Sequence, residues 1–172
     1  MANKKPNVVL TGFMASGKSS AGRLLASKRS LAFVDTDDLI VERHGSIEQI
    51  FATQGEDTFR EMERTVARDL EGKEGLVIAT GGRMMLDQYC ADALSLNGHV
   101  FCLSASIQEI QRRYTADEGG VVRPLLAGTD ETKLRRLYEE RATAYSRFEQ
   151  VETEGRSIDE VVEQIELLLR NT

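Results

Sequence analysis

Long apolar runs, a surplus of basic charge, and cysteines in sets are all missing from this chain, and each absence removes a class of function. No apolar stretch in its 172 residues approaches the about 20 residues that cross a bilayer, so no membrane partner is expected. Lysine and arginine number 22 against 28 aspartates and glutamates, a net charge of -6. That balance argues against a general nucleic-acid binder, which carries a basic face. It still admits a small anionic substrate, because a few arginines make one positive cleft in an acidic protein. The two cysteines, Cys90 and Cys102, have no metal-ligand spacing and read as buried thiols of a reducing compartment. The N-terminal residues Met1 to Asn7 are polar and show no signal-type apolar segment, so a cytoplasmic location is expected. Internal repeats and low-complexity tracts are absent too. What remains is a 41% hydrophobic, 29% charged chain of a length that fits one compact domain.

Along that chain, short apolar runs alternate with helical patterns. Residues 8–10, 31–34, 76–79 and 99–103 read as strands, with a weaker candidate at 150–153. They are short, apolar and not alternating, which is the signature of parallel strands buried on both faces. Ser46-Ile47-Glu48-Gln49, Ser106-Ile107-Gln108-Glu109 and Ser157-Ile158-Asp159-Glu160 each fit a capping box. The last opens a segment with Val161, Val162, Ile165, Leu168 and Leu169 on one face. The alternation predicts an α/β fold: a three-layer, doubly wound, five-stranded parallel sheet. Residues 116–122, with Asp117-Glu118-Gly119-Gly120, break the pattern and read as a mobile loop.

Directly after the first strand stands Gly12-Phe13-Met14-Ala15-Ser16-Gly17-Lys18-Ser19. This is the full Walker A pattern, between a strand and a helix as the motif requires. Its glycines let backbone N–H groups turn inward onto phosphate oxygens. Lys18 reaches the β- and γ-phosphates, the Ser19 hydroxyl is a Mg²⁺ ligand, and the helix that follows points its positive end at the same group. ATP and Mg²⁺ are therefore expected. The guanine-reading Asn-Lys-x-Asp sequence is absent downstream, which argues against a GTPase. A mechanical ATPase usually ends a strand in Asp-Glu; here the second strand ends Asp35-Thr36-Asp37. Two carboxylates two residues apart on an extended segment share a side, at the sheet edge where α/β proteins bind ligands. One can hold Mg²⁺ through water and the other an acceptor hydroxyl. An acidic turn, or a cap for the next helix, remains the plainer alternative.

With these pieces the chain resembles the shikimate kinase family. The resemblance rests on residues 12–19, Phe33-x-Asp35-x-Asp37, Gly45-x-Ile47-x-x-Ile50-Phe51-x-x-x-Gly55-Glu56-x-x-Phe59-Arg60-x-x-Glu63, Thr80-Gly81-Gly82, Arg123-Pro124-Leu125-Leu126 and Glu140-Arg141-x-x-x-Tyr145, in order along nearly the whole chain. It implies a P-loop fold of the nucleoside monophosphate kinase type, a monomer, and transfer of the ATP γ-phosphate to the 3-hydroxyl of shikimate on the path to chorismate and aromatic amino acids. It implies an acceptor-binding segment at about 37–65 and a mobile lid at about 113–126. Residue by residue, it implies Asp37 on the acceptor hydroxyl, Asp35 with Ser19 at the metal, Arg60 and Arg141 on the acceptor carboxylate, and Gly81 and Gly82 against the acceptor. Gly12, Ala15, Ser16, Gly17, Lys18, Ser19 and Ser20 would hold the nucleotide, with Arg113 and Arg156 near adenine and Arg123 reaching the phosphates from the lid. Lys18, Asp37 and Arg123 would form the catalytic set. Guanidinium forks suit a carboxylate, and Glu63, three residues after Arg60, can orient it.

The pattern breaks at one place. The family usually has a third glycine after Gly81-Gly82, and this chain has Arg83. An arginine there has three outlets: solvent, a pair with Asp35 or Glu63, or a substrate anion. It keeps open a kinase for another small hydroxy acid or polyol, beside the third reading of a catalytically silent homologue. Ser20 replaces a usual threonine, a minor change. His44, His99 and the pairs Arg135-Arg136 and Glu139-Glu140 read as structural or solvated, and Met84-Met85 as core filling.

Overall fold

The computed structural model describes residues 6–116 and 131–171. Residues 117–130, which include Arg123 and most of the predicted lid, lie outside the described residues, as do 1–5 and 172. The elements run β1 (Asn7–Thr11), α1 (Lys18–Arg29), β2 (Ala32–Asp35), α2 (Thr36–His44), α3 (Ile47–Gln54), α4 (Glu56–Leu70) and β3 (Leu76–Ala79). A 3₁₀ turn (Met84–Leu86) precedes α5 (Gln88–Ser95), β4 (Gly98–Ser104), α6 (Ile107–Ala116), α7 (Glu131–Tyr145), β5 (Glu149–Glu152) and α8 (Ile158–Arg170). The strands form one five-stranded sheet in the order β2-β3-β1-β4-β5, and every neighbouring pair is parallel. All five expected strands are present, the weak fifth one residue earlier than its apolar signal suggests.

Strand β1 is the axis of the molecule, and its side chains divide between two cores by the period of two that a strand imposes. Val8 and Leu10 point to the side of α1 and α8, where they meet Ala21, Leu25, Val161, Val162 and Ile165. Val9 points to the other side and joins Ile40, Phe59, Val66 and Met84 from α2, α4 and the 3₁₀ turn. Val9 and Leu10 are fully buried, and each such side chain contributes about 1.5–3 kcal/mol relative to exposure. Helix α8 presents the expected stripe, and Met84 and Met85 are core residues with no exposed surface. A third apolar cluster under the loop after β1 joins Phe13, Met14, Ile110, Leu134 and Tyr145.

Helix starts correct one expectation. The Ser157–Glu160 capping box is complete, with both reciprocal bonds. Ser106 caps Glu109 N at 3.2 Å, but the return bond to Ser106 N comes from Glu154 at 3.0 Å, because Glu109 is held by Arg112 and Arg113. Ser46 accepts from Gln49 N at 3.2 Å, the serine half of that box. Because all strands run parallel, the loops after β1, β2, β3 and β4 leave the sheet on the same edge, and the candidate site residues gather there. Among the described residues no helix is long and apolar enough to cross a membrane.

Candidate active site

The loop after β1 is shaped by close packing. Gly12 has φ +136°, and a Cβ there would stand 2.3 Å from the Leu103 carbonyl oxygen of β4. No side chain larger than hydrogen fits, so the loop lies directly on the central strands. Gly17 (φ 96°) starts α1 and no side chain caps that helix. Its first N–H groups are therefore left without a side-chain acceptor, the arrangement that favours phosphate. Ser16 Oγ is buried there without a hydrogen-bond partner among the described residues. Lys18 Nζ donates to Gly12 O and Phe13 O, both at 2.9 Å, and so spans the loop it belongs to.

Ser19 and Asp35 meet across the sheet edge. Ser19 Oγ donates to Asp35 Oδ2 at 2.7 Å, while Asp35 Oδ1 accepts from Asp37 N at 3.0 Å and caps α2. The plainer reading, a cap for the next helix, therefore holds for Asp35. A hydroxyl and a carboxylate side by side at a phosphate loop are an all-oxygen donor set that fits Mg²⁺, which completes its shell with phosphate and water. Among the described residues no cluster of three or more His, Cys, Asp or Glu could hold a metal by itself.

A cavity of about 440 Å³ extends from the loop between α1 and α6, lined by Ala15, Ser16, Gly17, Ser20, Arg113 and Arg156 among others. Arg113 is committed there to protein partners: Glu109 at 2.7 Å, Thr153 Oγ1 and O at 3.0 Å, and Ala15 O at 3.3 Å. It ties the phosphate loop to the loop after β5. Arg156 is exposed and bonds Gln164.

Most of the residues expected to meet the acceptor gather around Gly81 and Gly82. A Cβ on Gly81 would lie 2.7 Å from Asp37 Oδ1 and 3.1 Å from Glu63 Oε1, and one on Gly82 would lie 3.9 Å from Arg141 Nη1 and 3.8 Å from Met14 N. Asp37, Glu63, Arg141 and the phosphate loop therefore converge on this one turn, which Thr36 Oγ1 fixes by accepting from Gly81 N at 2.9 Å. Arg141 is only 6% exposed, lies 5.5 Å from the Phe13 ring, and has no salt bridge among the described residues. Burial lowers its pKa, and the nearby charges of Arg83 and Arg60 push the same way. Tyr145 beside it, its hydroxyl buried, opposes them.

Arg60 is fully engaged. Its Nη1 donates to Glu63 at 2.7 Å, and its Nε and Nη2 donate to Glu56 Oε1 at 3.2 and 2.9 Å. Burial pushes the Glu63 carboxyl up to about 7, against the pull of Arg60. Arg83 pairs with neither Asp35 nor Glu63: it donates to Glu56 Oε1 at 2.6 Å. Glu56 stood in the family pattern read from the sequence, but without a role. It stands four residues before Arg60, a spacing that could have flagged the pair. The contact of Phe13 with Arg141 joins residues 128 positions apart and leaves no local signal. His44 is exposed and His99 half-buried, both away from this turn.

Comparison with known proteins agrees with this geometry. The shikimate kinase family model matches residues 14–170. A shikimate kinase of Geobacter sulfurreducens is 41% identical over 167 residues, covering 95% of this chain and 91% of that protein. One from Pseudoalteromonas atlantica is 41% identical over 169 residues, 96% of each. The solved shikimate kinase from Acinetobacter baumannii in complex with shikimate superposes with a TM-score of 0.87 at 32% identity, over 98% of this chain and 95% of that one. A match over nearly the whole chain, on a sheet of the same build and a site with a phosphate loop facing a buried arginine, places this chain in the shikimate kinase family.

Proposed function

We infer that this protein transfers the γ-phosphate of ATP to the 3-hydroxyl of shikimate, giving ADP and shikimate 3-phosphate. The observation that carries the acceptor reading is Arg141, a buried guanidinium without a carboxylate partner among the described residues, next to Gly82. A buried cation without a counter-charge is costly, and a carboxylate acceptor supplies one with bidentate geometry. Asp37, at the same turn, is placed to take the hydrogen bond and proton of the acceptor hydroxyl.

The step then follows from position. The shikimate hydroxyl oxygen forms the new bond to the γ-phosphorus, the bond from that phosphorus to the β–γ bridging oxygen breaks, and ADP leaves. The N–H groups at the start of α1 and Lys18 hold the phosphates, and Ser19 and Asp35 are the residues that would hold Mg²⁺. Bound Mg²⁺ would neutralise charge on the phosphate oxygens. Arg123, in the proposed lid, would cover the transferring group and exclude water. Residues 37–65, which span α2, α3 and most of α4, form the proposed acceptor segment. Two free, buried thiols suit a reducing cytoplasm, and the proposed working unit is a monomer. Because Arg83 is occupied with Glu56, the missing glycine lends no support to a different acceptor.

ADP release with ATP and Mg²⁺ in the presence of shikimate, quinate or gluconate tests this. Turnover should depend on shikimate; turnover on another acceptor alone overturns the reading, and so does binding without turnover.

A further inference from the structure

Arg60 presents two edges to its surroundings, and both are taken: Glu63 on one, Glu56 on the other. An incoming acceptor carboxylate must compete with two carboxylates already on the guanidinium. The single Glu56 oxygen that receives Arg60 also receives Arg83, at the shortest distance of the three bonds. With Arg83 included, two acids face two arginines. Without it, two acids face one. Arg83 is 49% exposed and Glu56 39%, whereas Arg60 is 17% exposed and Glu63 3%. The outer pair is therefore the solvent-facing one and the inner pair the buried one. Arg60 and Arg83 also line an open groove of about 600 Å³, together with Arg64, Asp57, Glu61 and Asp87. Arg83 also acts on the inner residues through its charge: burial and Asp37 raise the Glu63 pKa while Arg60 and, least, Arg83 lower it, and Arg83 adds to burial in lowering that of Arg141.

We propose that Arg83 is a positioning residue for the acceptor: by holding Glu56, it draws that carboxylate away from Arg60 and frees one edge of Arg60 for the acceptor carboxylate. This rests on the reading of Arg60 as an acceptor anchor. The residue that breaks the glycine run thus supports the acceptor through Glu56 without touching it.

The test is steady-state kinetics on Arg83→Ala, Arg83→Lys, Glu56→Gln, the double variant Arg83→Ala/Glu56→Gln, and Arg60→Ala, each checked by thermal melting. Arg83→Ala should raise the shikimate KM roughly fivefold at low salt, the scale of an exposed charge pair, with a smaller change in kcat and in the KM for ATP. The effect should shrink as salt screens it. Lysine should recover part of the loss, and adding Glu56→Gln to Arg83→Ala should recover most of it. An unchanged KM in Arg83→Ala, or a double variant no better than the single, overturns the proposal. If Arg83→Ala fails to fold, Arg83→Met keeps the apolar stem and carries the same expectation. Arg60→Ala separates the two layers: no effect on the shikimate KM sinks the anchor role, whereas an effect there with none at Arg83 sinks only the positioning role.

Discussion

The Arg141 guanidinium lies 5.5 Å from the centre of the Phe13 ring. Phe13 belongs to the phosphate loop and Arg141 to α7, so the contact sets the proposed acceptor anchor directly on the nucleotide loop. The ring is itself braced edge-on by Tyr138 at 5.4 Å. Phe13→Leu keeps an apolar side chain but removes the π face. A partly desolvated cation–π contact of about 0.5–2 kcal/mol predicts a roughly two- to thirtyfold rise in the shikimate KM. An unchanged shikimate KM in that variant would show the contact to be packing alone.

Arg141→Ala removes the proposed anchor itself. The shikimate KM should rise at least about tenfold, the scale of a lost charged hydrogen bond, and the KM for ATP much less. Equal losses in both, measured by varying each substrate at saturation of the other, would contradict the assigned role.

Asp35 caps α2, and one substitution separates that cap from its proposed role at the metal. Asparagine caps helices about as well as aspartate, so Asp35→Asn should leave α2 and the melting temperature nearly intact. Losing the charge next to Ser19 should raise the Mg²⁺ concentration for half-maximal activity by about an order of magnitude. A Mg²⁺ titration at fixed ATP reads this out, and a superimposable curve would remove Asp35 from the metal site.

Two glycines of the site should fail in different ways. At Gly12 a Cβ would meet backbone at 2.3 Å, and φ is +136°. Gly12→Ala should therefore destabilise the fold by more than about 2 kcal/mol, seen as a lower urea midpoint. At Gly82 the nearest atom to a new Cβ is 3.8 Å away. Gly82→Ala should fold normally and lose acceptor affinity, because the methyl group enters space the acceptor needs.

Glu63 predicts a pH dependence. Its folded pKa is raised from 4.5 to about 7, with burial as the cause. Between those values the folded protein binds a proton that the unfolded chain has released, so this group's contribution to stability falls as pH rises through the window. The full effect is at most on the order of 3 kcal/mol. Urea unfolding at pH 5 and pH 7.5 should show a smaller drop for Glu63→Gln than for the parent protein. An identical drop would place the titration elsewhere.

Some of this was legible in the chain. Gly12 to Ser19 announces its own conformation, because glycine spacing and a following helix are local requirements. The strands at 76–79 and 99–103 were plain because burial on both faces demands continuous apolar residues. Strand 149–152 was weak because it lies at the sheet edge with mostly exposed side chains. Arg60 and Arg141 carry no local mark distinguishing them from surface helix arginines, and family resemblance alone pointed to them. Arg83 was visible as an oddity, but neither pairing weighed for it, Asp35 or Glu63, was the partner it has.

The sequence by itself determined the nucleotide half of this protein: a phosphate loop, its lysine, its serine and the strand–helix alternation that carries them, all written within a few residues of one another. Only the tertiary structure decided the acceptor half. Asp37, Gly82, Arg60 and Arg141 come from four separate stretches of chain, and a parallel sheet brings them to one edge. Whether an arginine is a solvated surface charge or a buried cation that calls for an anion depends on what surrounds it, and residues 60, 83 and 141 acquire those surroundings only when the chain has folded.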